Sequence, residues 1–467
     1  MKSKTIVIVG AGFCGSTLAI RLLRQHSINS LNIVLITRAG TLGRGVAYGT
    51  HAGAHVLNVP AGRMGALPEE EFGFHEYAVQ YDPTMTPGSF VNRTLYGDYL
   101  TALLNDASKT PSTGTELKVL IGTVIRVTPS NSGKAARLIL ESGEYVDADT
   151  VVLSTGHCAR QKPAIASEYR SFYESSRYVH DPWQTGALGN IGESDPVLLI
   201  GSGLTMLDVV LDLRDRGHRG MVYSVSRRGL SPQPHRVLSS HPLYDGQLSQ
   251  QMLKNCTTRH YLRAVRDAAK QQTRNGGDWR DVIAGLRSTT SQLWHALPTI
   301  ERQRFLRHVR PYWDTHRHRC APQPGARMQA EIDTGKLKLF AGRITRYDSS
   351  SDYVSVHLRR RGAQSEERIE VAAVINCTTP AFDLRQLDDP LLASLRTSGL
   401  LIPDALGTSM EIAPSGALMD SNLEESRWLY YVGPFLQARD WEATAVPELR
   451  EYVKLMADTL ETSLSEP

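Results

Sequence analysis

A chain of 467 residues, 41% hydrophobic and 21% charged, is long enough for two or three domains and has a globular balance, which excludes disordered, collagen-like and coiled-coil classes. A formal net charge of +4 is too small at this length to point to nucleic acid, so Arg227-Arg228 and Arg359-Arg360-Arg361 read as solvated faces or phosphate contacts. Cysteines at 14, 158, 256, 320 and 377 make no disulfide framework, CxxC or zinc pattern, and no apolar run reaches the roughly 18 residues of a membrane span, so a cytoplasmic protein that does not meet the membrane is expected.

The chain opens on "TIVIVGAGFCGSTLAIRLLRQ" (5–25): an apolar strand, then Gly10-x-Gly12-x-x-Gly15, then Leu18, Leu22 and Leu23 at helical spacing. The lysines before this run resemble a signal-peptide start, but the glycines break the run and no cleavage site follows. A loop of this kind lets a backbone approach a pyrophosphate at a helix N-terminus. Cys14 lies in the turn without a nearby thiol partner and reads as a packing residue. The next strand, "LNIVLIT", ends in Thr37-Arg38, where a ribose-binding acid is usual.

β-Rich segments follow at 117–129 and 136–157. "PVLLIGSGLTMLDVVLDLRDRG" (196–217) then repeats the opening design with Gly201-x-Gly203, about 190 residues after the first loop. Its following strand, "MVYSVS", ends in Arg227-Arg228, whose guanidinium groups can fork onto the 2′-phosphate of NADPH. The span 245–310 is polar and helix-patterned. Strands are expected again at 335–347 and 352–362, and "EVAAVINCTTP" (370–380) echoes "DADTVVLSTGH" (147–157). "RWLYYVGPF" (427–435) reads as a last strand. A helix from about Thr444 to Leu464 follows, with Pro447 in its first turn.

Two strand–glycine–helix units in one chain predict an α/β protein with two Rossmann-like dinucleotide-binding domains, one inserted in the other. The pattern resembles two-dinucleotide flavoproteins, in which the FAD domain closes at both ends of the chain around an inserted NAD(P)H domain. That resemblance implies 1–190 for the first part of an FAD domain, 191–365 for an NADPH domain with a helical insertion at about 245–330, and 366–467 for the returning FAD part. Because the C-terminal segment completes the first unit, that site is assigned to FAD despite Arg38. Thr37 then offers one hydroxyl in place of a carboxylate, Arg38 can stack on adenine, and weakened FAD retention is expected.

"WDTHRHRC" (313–320) alternates His316, His318 and Cys320, but alternate residues share a face only on a strand and carboxylate ligands are missing nearby, so no metal is expected. Arg317, Arg319, His316 and His318 read either as a cationic patch for an acidic substrate or the NADPH phosphates, or as structural, with Trp313 and Asp314 anchoring the insertion. His235 and Arg236 carry the same pair of readings.

"GRGVAYGT" (43–50), "HVLNVPAGRMGALPEE" (55–70), "FVNRTLYGDYL" (90–100), "SRRGLSPQPH" (226–235), "INCTTP" (375–380) and "GPFLQARDWEATAVPELR" (433–450) resemble bacterial FAD/NAD(P)-binding proteins of the YdhS type over nearly the whole chain. Their architecture is similar to class B and N-hydroxylating flavin monooxygenases, with a looser likeness to aspartate N-monooxygenases. The resemblance implies that Asn58 meets the flavin edge and that Arg93 and Tyr96 lie near the adenine or the substrate mouth, whereas Tyr99 reads as helix packing. Gly156, Gly433, Trp441 and Thr444 join Gly10, Gly12, Gly15, Thr37 and Arg38 as FAD candidates, with Glu442 beside Trp441. Asn58, Arg317 and His316 are the candidates for catalytic work.

The expected function is an NADPH-consuming, FAD-dependent monooxygenase that hydroxylates the nitrogen of a small amino acid, acidic ones included, or amine by way of a flavin C4a-hydroperoxide. Its partners are then a small molecule and oxygen. The alternative is a flavin reductase passing electrons to a quinone or another small acceptor; paired active-site cysteines for disulfide reduction are missing, and oligomeric state is left open.

Overall fold

The apolar run after Lys4 forms strand β1 (Lys4–Val9), whose last four residues are buried. A strand so covered on both faces belongs at the centre of a parallel sheet, and β1 lies between β2 (Leu31–Thr37) and β7 (Thr150–Leu153), parallel to both. In this computed structural model the described residues are 3–465 apart from 26–29, 51, 131–134, 157–159, 237–246, 351, 380–382, 386 and 388. His157, Cys158, Pro380 and residues 245–246 of the expected segments fall outside them.

The first sheet has the order β15-β16-β7-β1-β2-β3, with β3 at Thr115–Ile121, β15 at Ala417–Met419 and β16 at Glu425–Tyr431. The chain therefore leaves this sheet after β7 and returns about 260 residues later to pair β16 with β7 in parallel. The helix Phe13–Arg24 packs on it, burying Leu18, Ile20, Leu22 and Leu23. A small antiparallel sheet, β4 (Val124–Pro129), β5 (Ala136–Leu140) and β6 (Tyr145–Ala148), precedes β7.

The second sheet has the order β13-β12-β11-β10-β9-β14-β8. It comprises β8 (Tyr178–Val179), β9 (Val197–Ile200), β10 (Val222–Ser226), β11 (Leu337–Ser349), β12 (Val354–Arg360), β13 (Glu366–Val371) and β14 (Ala373–Asn376). Its limits differ from the expected 191–365. β8 lies before that span, and β13 and β14 lie after it, because β14 fills the place beside β9 that β7 fills beside β1. The echo between 147–157 and 370–380 is thus a structural repeat.

Between β10 and β11 stand helices that include Thr258–Arg274, Trp279–Gly285, Thr290–Ala296, Arg310–Arg317 and Pro322–Asp333. Their apolar faces close on a separate core of Leu248, Met252, Tyr261, Val282, Leu293 and Trp294. Trp441, from the returning segment, completes that core: its ring stacks on Trp294 at 4.6 Å, with Phe305 edge-on at 4.9 Å.

Candidate functional site

Both glycine loops are built alike. Gly10 has φ +110° and Gly201 φ +105°. A Cβ on Gly10 would stand 2.6 Å from the Ser154 carbonyl oxygen, and one on Gly201 would stand 2.7 Å from that of Cys377. Each loop is thus pressed against the end of the neighbouring strand, and each leads through Gly12 or Gly203 into a helix N-terminus. Gly15 lets the first helix sit on its own loop, since a Cβ there would collide with the Gly10 carbonyl oxygen. Backbone N–H groups and the positive end of a helix then face outward, as a diphosphate requires.

The first cradle carries a further mark of an absent ligand. Ser154 Oγ and Thr155 Oγ1, at the end of β7, are buried and without a hydrogen-bond partner among the described residues. Unmet buried hydroxyls beside a glycine loop fit the phosphates or ribityl chain of a dinucleotide. Thr37 is buried at the end of β2. Arg38 is exposed and pairs with Asp389 at 2.9 Å, the residue that caps helix Pro390–Thr397. Gly156 is open, with no atom of the described residues, chain neighbours aside, within 4 Å of where a Cβ would stand, and Gly433 closes on the Tyr431 hydroxyl, which itself donates to the Thr155 carbonyl at 3.1 Å.

The two units meet through buried polar contacts. Arg93, first residue of helix Arg93–Lys109, pairs with Asp208 of helix Leu204–Asp215 at 2.9 Å and donates from Nε to the Val56 carbonyl at 3.0 Å. Arg93 therefore bridges the units, whereas Tyr96 is wholly buried in an aromatic cluster with Tyr48 and Phe74. His55 Nδ1 lies 2.6 Å from the Thr50 hydroxyl and its Nε2 3.3 Å from the Asp208 carbonyl. His235 Nε2–H donates to the carbonyl of Asn58 at 3.0 Å, and Arg160 donates to that of Thr378.

A cavity of about 1600 Å³ opens between the units. Tyr48, Asn58, Met64 and Arg93 line it from the first, Gly201 to Thr205, Arg227 and Arg228 from the second. Arg310, Asp314, Thr315 and His318 line it from the insertion, and Gln437 and Thr444 to Val446 from the returning segment. Its size exceeds the roughly 300–1,000 Å³ of an ordinary small-molecule pocket, leaving room for a nucleotide and a second ligand together.

The arginine pair after β10 divides its work. Arg228 is held by the insertion, donating to the Tyr312 hydroxyl at 3.2 Å and the His308 carbonyl at 3.1 Å. Arg227 is exposed and without a hydrogen bond or ion pair among the described residues, and Arg343 and Arg361 line the cavity with it. These cations suit a phosphate on the second nucleotide.

Three expected contacts are corrected. Arg317 is turned into an ion pair with Glu442 at 2.8 Å and does not line the cavity; burial raises the Glu442 carboxyl, with Arg317 opposing. His316 donates from Nδ1 to the Tyr312 carbonyl at 2.8 Å and packs edge-on against Trp279 at 4.9 Å. Trp441 and Glu442 face the insertion, which needs them for its docking, rather than the cavity. For the first two, the helix Arg310–Arg317 sets the contacts, with Arg317 drawn off by Glu442 and His316 by Trp279, while Asp314 and His318, four apart, share the cavity side. Trp441 and Glu442 are instead drawn to the insertion by Trp294 and Arg317.

Those two are the titratable groups that the sequence reading left out of its catalytic set. His318 is ringed by protein and by Arg317, Arg310 and Arg287; burial foremost, then these charges, hold it down to about 3, a neutral imidazole. Burial raises the Asp314 carboxyl, while Arg310, 3.3 Å away, opposes. Burial pushes Cys14 and Cys377 up to about 12 and Cys320 up to about 11, which leaves them protonated and unreactive. Among the described residues no group of His, Cys, Asp and Glu could hold a metal, and no helix is long and apolar enough to cross a membrane.

Residues 7–158 match the family described as FAD-NAD(P)-binding. Among solved structures, the ornithine hydroxylase of Pseudomonas aeruginosa is 16% identical with a TM-score of 0.67, over 99% of this chain and 100% of that one. L-lysine 6-monooxygenase from Pseudomonas syringae is 17% identical with a TM-score of 0.66, over 98% and 99%. The FAD-bound cadaverine monooxygenase of Erwinia amylovora is 13% identical with a TM-score of 0.62, over 98% and 95%. These likenesses establish the fold, two Rossmann-like units with helices between. No curated protein sequence matches.

Proposed function

We propose that the chain is an FAD-dependent, NADPH-consuming monooxygenase that hydroxylates the nitrogen of a small amine or amino acid. The observation that carries this reading is a cavity to which the second glycine loop, the first unit, the insertion and the N-terminus of the last helix all contribute. The structurally similar proteins act on ornithine, lysine and cadaverine, which supports the reaction class and leaves the substrate to be found.

FAD fits the first cradle, held by the Gly10–Gly15 loop, Ser154 and Thr155; NADPH fits the second, held by Gly201, Gly203 and Arg227. When bound and reduced, the flavin supplies activated oxygen to a nucleophilic nitrogen. The chain's own task is to bring the nucleotides together, keep water away and present the amine unprotonated. The Arg93–Asp208 pair and the His235–Asn58 bond fix the units against each other. The first-turn backbone of helix Val446–Ser465 supplies the positive end of a dipole at the cavity wall, suited to negative charge on a reduced ring. His318, kept neutral, can accept a hydrogen bond from an amine without adding a competing cation, and Asp314 stands beside it.

Burial and protonation of Cys14, Cys320 and Cys377 disfavour dithiol chemistry at these three, which favours quinone-like acceptors within the reductase alternative. The test is stoichiometry. FAD-loaded protein, NADPH, air and a panel of small amines should yield hydroxylamine in step with NADPH consumed for at least one amine. Consumption unaffected by every amine, with a quinone accelerating it, would support the reductase instead.

A further inference from the structure

The described acids around the short pairing of Pro234 with Cys320 are already taken. Arg236 is bonded to Asp281, Arg280 to Asp278 at 3.0 Å, and Arg317 to Glu442 at 2.8 Å. Arg319 lies among them and has no hydrogen bond or ion pair among the described residues; its Nε is buried without a partner. Burial, and then Arg317, Arg280 and Arg236, lower it to about 10, with Asp278 opposing. Neighbouring His235 is held to about 4, first by burial and then by Arg319, so it brings no charge of its own. An arginine crowded by arginines and half withdrawn from water is an unfavourable arrangement unless an anion completes it.

The place adjoins the cavity. His318, next to Arg319 in the chain, lines it. So does Asn58, whose carbonyl takes the ring N–H of His235, and the His235 backbone N–H bonds the Cys320 carbonyl at 2.9 Å. A separate arginine group, Arg227 just past β10, Arg343 within β11 and Arg361 just past β12, lines the cavity for the nucleotide phosphate.

We infer that Arg319, which adjoins the cavity through its lining neighbour His318, anchors an anion subsite there and that the anion is a carboxylate of the amine substrate. The second half rests on the proposed function. On this reading the substrate is an amino acid and not a decarboxylated diamine. A guanidinium fork matches a carboxylate in two parallel hydrogen bonds, which a lysine cannot reproduce.

The test uses FAD-loaded protein with saturating NADP⁺, so that the nucleotide arginines are occupied, and succinate as the probe against chloride at equal ionic strength. The unfolding temperature should rise with succinate in a saturable way. Arg319→Gln should weaken succinate about ten-fold or more, and Arg319→Lys about three-fold or more. No succinate-specific rise in the parent protein, or equal affinity in Arg319→Gln, would overturn the subsite; if that variant does not fold, equal affinity in Arg319→Lys does so. Paired substrates, lysine with cadaverine and ornithine with putrescine, are then assayed for NADPH-dependent hydroxylamine. Diamines turned over as well as the amino acids overturn the carboxylate assignment and leave the monooxygenase standing. Succinate binding through Arg319 with no hydroxylamine from any amine overturns the reaction and leaves the anion subsite standing.

Discussion

Removing one partner of the Arg93–Asp208 pair should loosen the junction between the two units. The pair is two-pronged, 2.9 Å between Nη1 and Oδ2 and 3.3 Å between Nη2 and Oδ1, and its side chains are 17% and 9% exposed. An exposed pair is worth about 0–1 kcal/mol, whereas stranding one charge of a buried pair costs about 3–5 kcal/mol. Asp208→Leu strands Arg93, which keeps only the Val56 carbonyl, so about 3 kcal/mol is expected. Arg93→Met should cost a similar amount by stranding Asp208. The double variant strands neither, and its loss should fall short of the sum of the single losses by about 1–3 kcal/mol. Urea unfolding of the four FAD-loaded proteins measures the cycle. Losses that add to within about 0.5 kcal/mol would refute the reasoning, because the two groups would then not be interacting.

Other outcomes follow from the same contacts. Gly201→Ala should destabilise the second unit and abolish NADPH binding, since its Cβ meets the Cys377 carbonyl at 2.7 Å; calorimetric titration with NADP⁺ checks it. Arg227→Ala should raise the KM for NADPH about 10-fold or more and leave that for NADH unchanged, and equal response to the two nucleotides would remove Arg227 from the phosphate. Thr37→Glu should strengthen FAD retention on gel filtration by restoring an acid at the end of β2; unchanged retention means that Thr37 does not face the ribose. His235 titrates near 4 folded and near its ordinary value unfolded, so the unfolded chain takes up its proton first as pH falls. Stability is therefore lost between about pH 6.5 and pH 4, by up to about 1.4 kcal/mol per pH unit, and His235→Asn should flatten that part of the profile in urea melts.

Both glycine loops were legible because their requirement is local: a strand, a turn with positive φ and a helix follow one another within about 20 residues. The echo of 147–157 in 370–380 was legible for the same reason, since each of these strands must end against a glycine loop. The helical insertion declared itself by polarity and period. The division of the chain did not, because β8 and β14 are placed by pairing across long separations, which no local pattern records. Trp441 reads as a ligand contact in a linear sequence, and only the docked insertion reveals the ring of Trp294 waiting for it. For 313–320, a helical period applied to "WDTHRHRC" would have put Asp314 and His318 together and Arg317 elsewhere. The difference between Arg227 and Arg228 had no signal in the sequence, since it depends on where the Tyr312 hydroxyl and the His308 carbonyl arrive in space.

The most direct test of the proposed reaction uses isotopic oxygen. FAD-loaded protein is given NADPH, an amino-acid panel and ¹⁸O₂, and the products are weighed by mass spectrometry. One ¹⁸O atom should enter the nitrogen-hydroxylated product of a responsive amino acid, with one NADPH consumed for each. NADPH consumption that ends wholly in peroxide or in a reduced quinone, with no ¹⁸O bound to nitrogen in any product, would contradict the assignment.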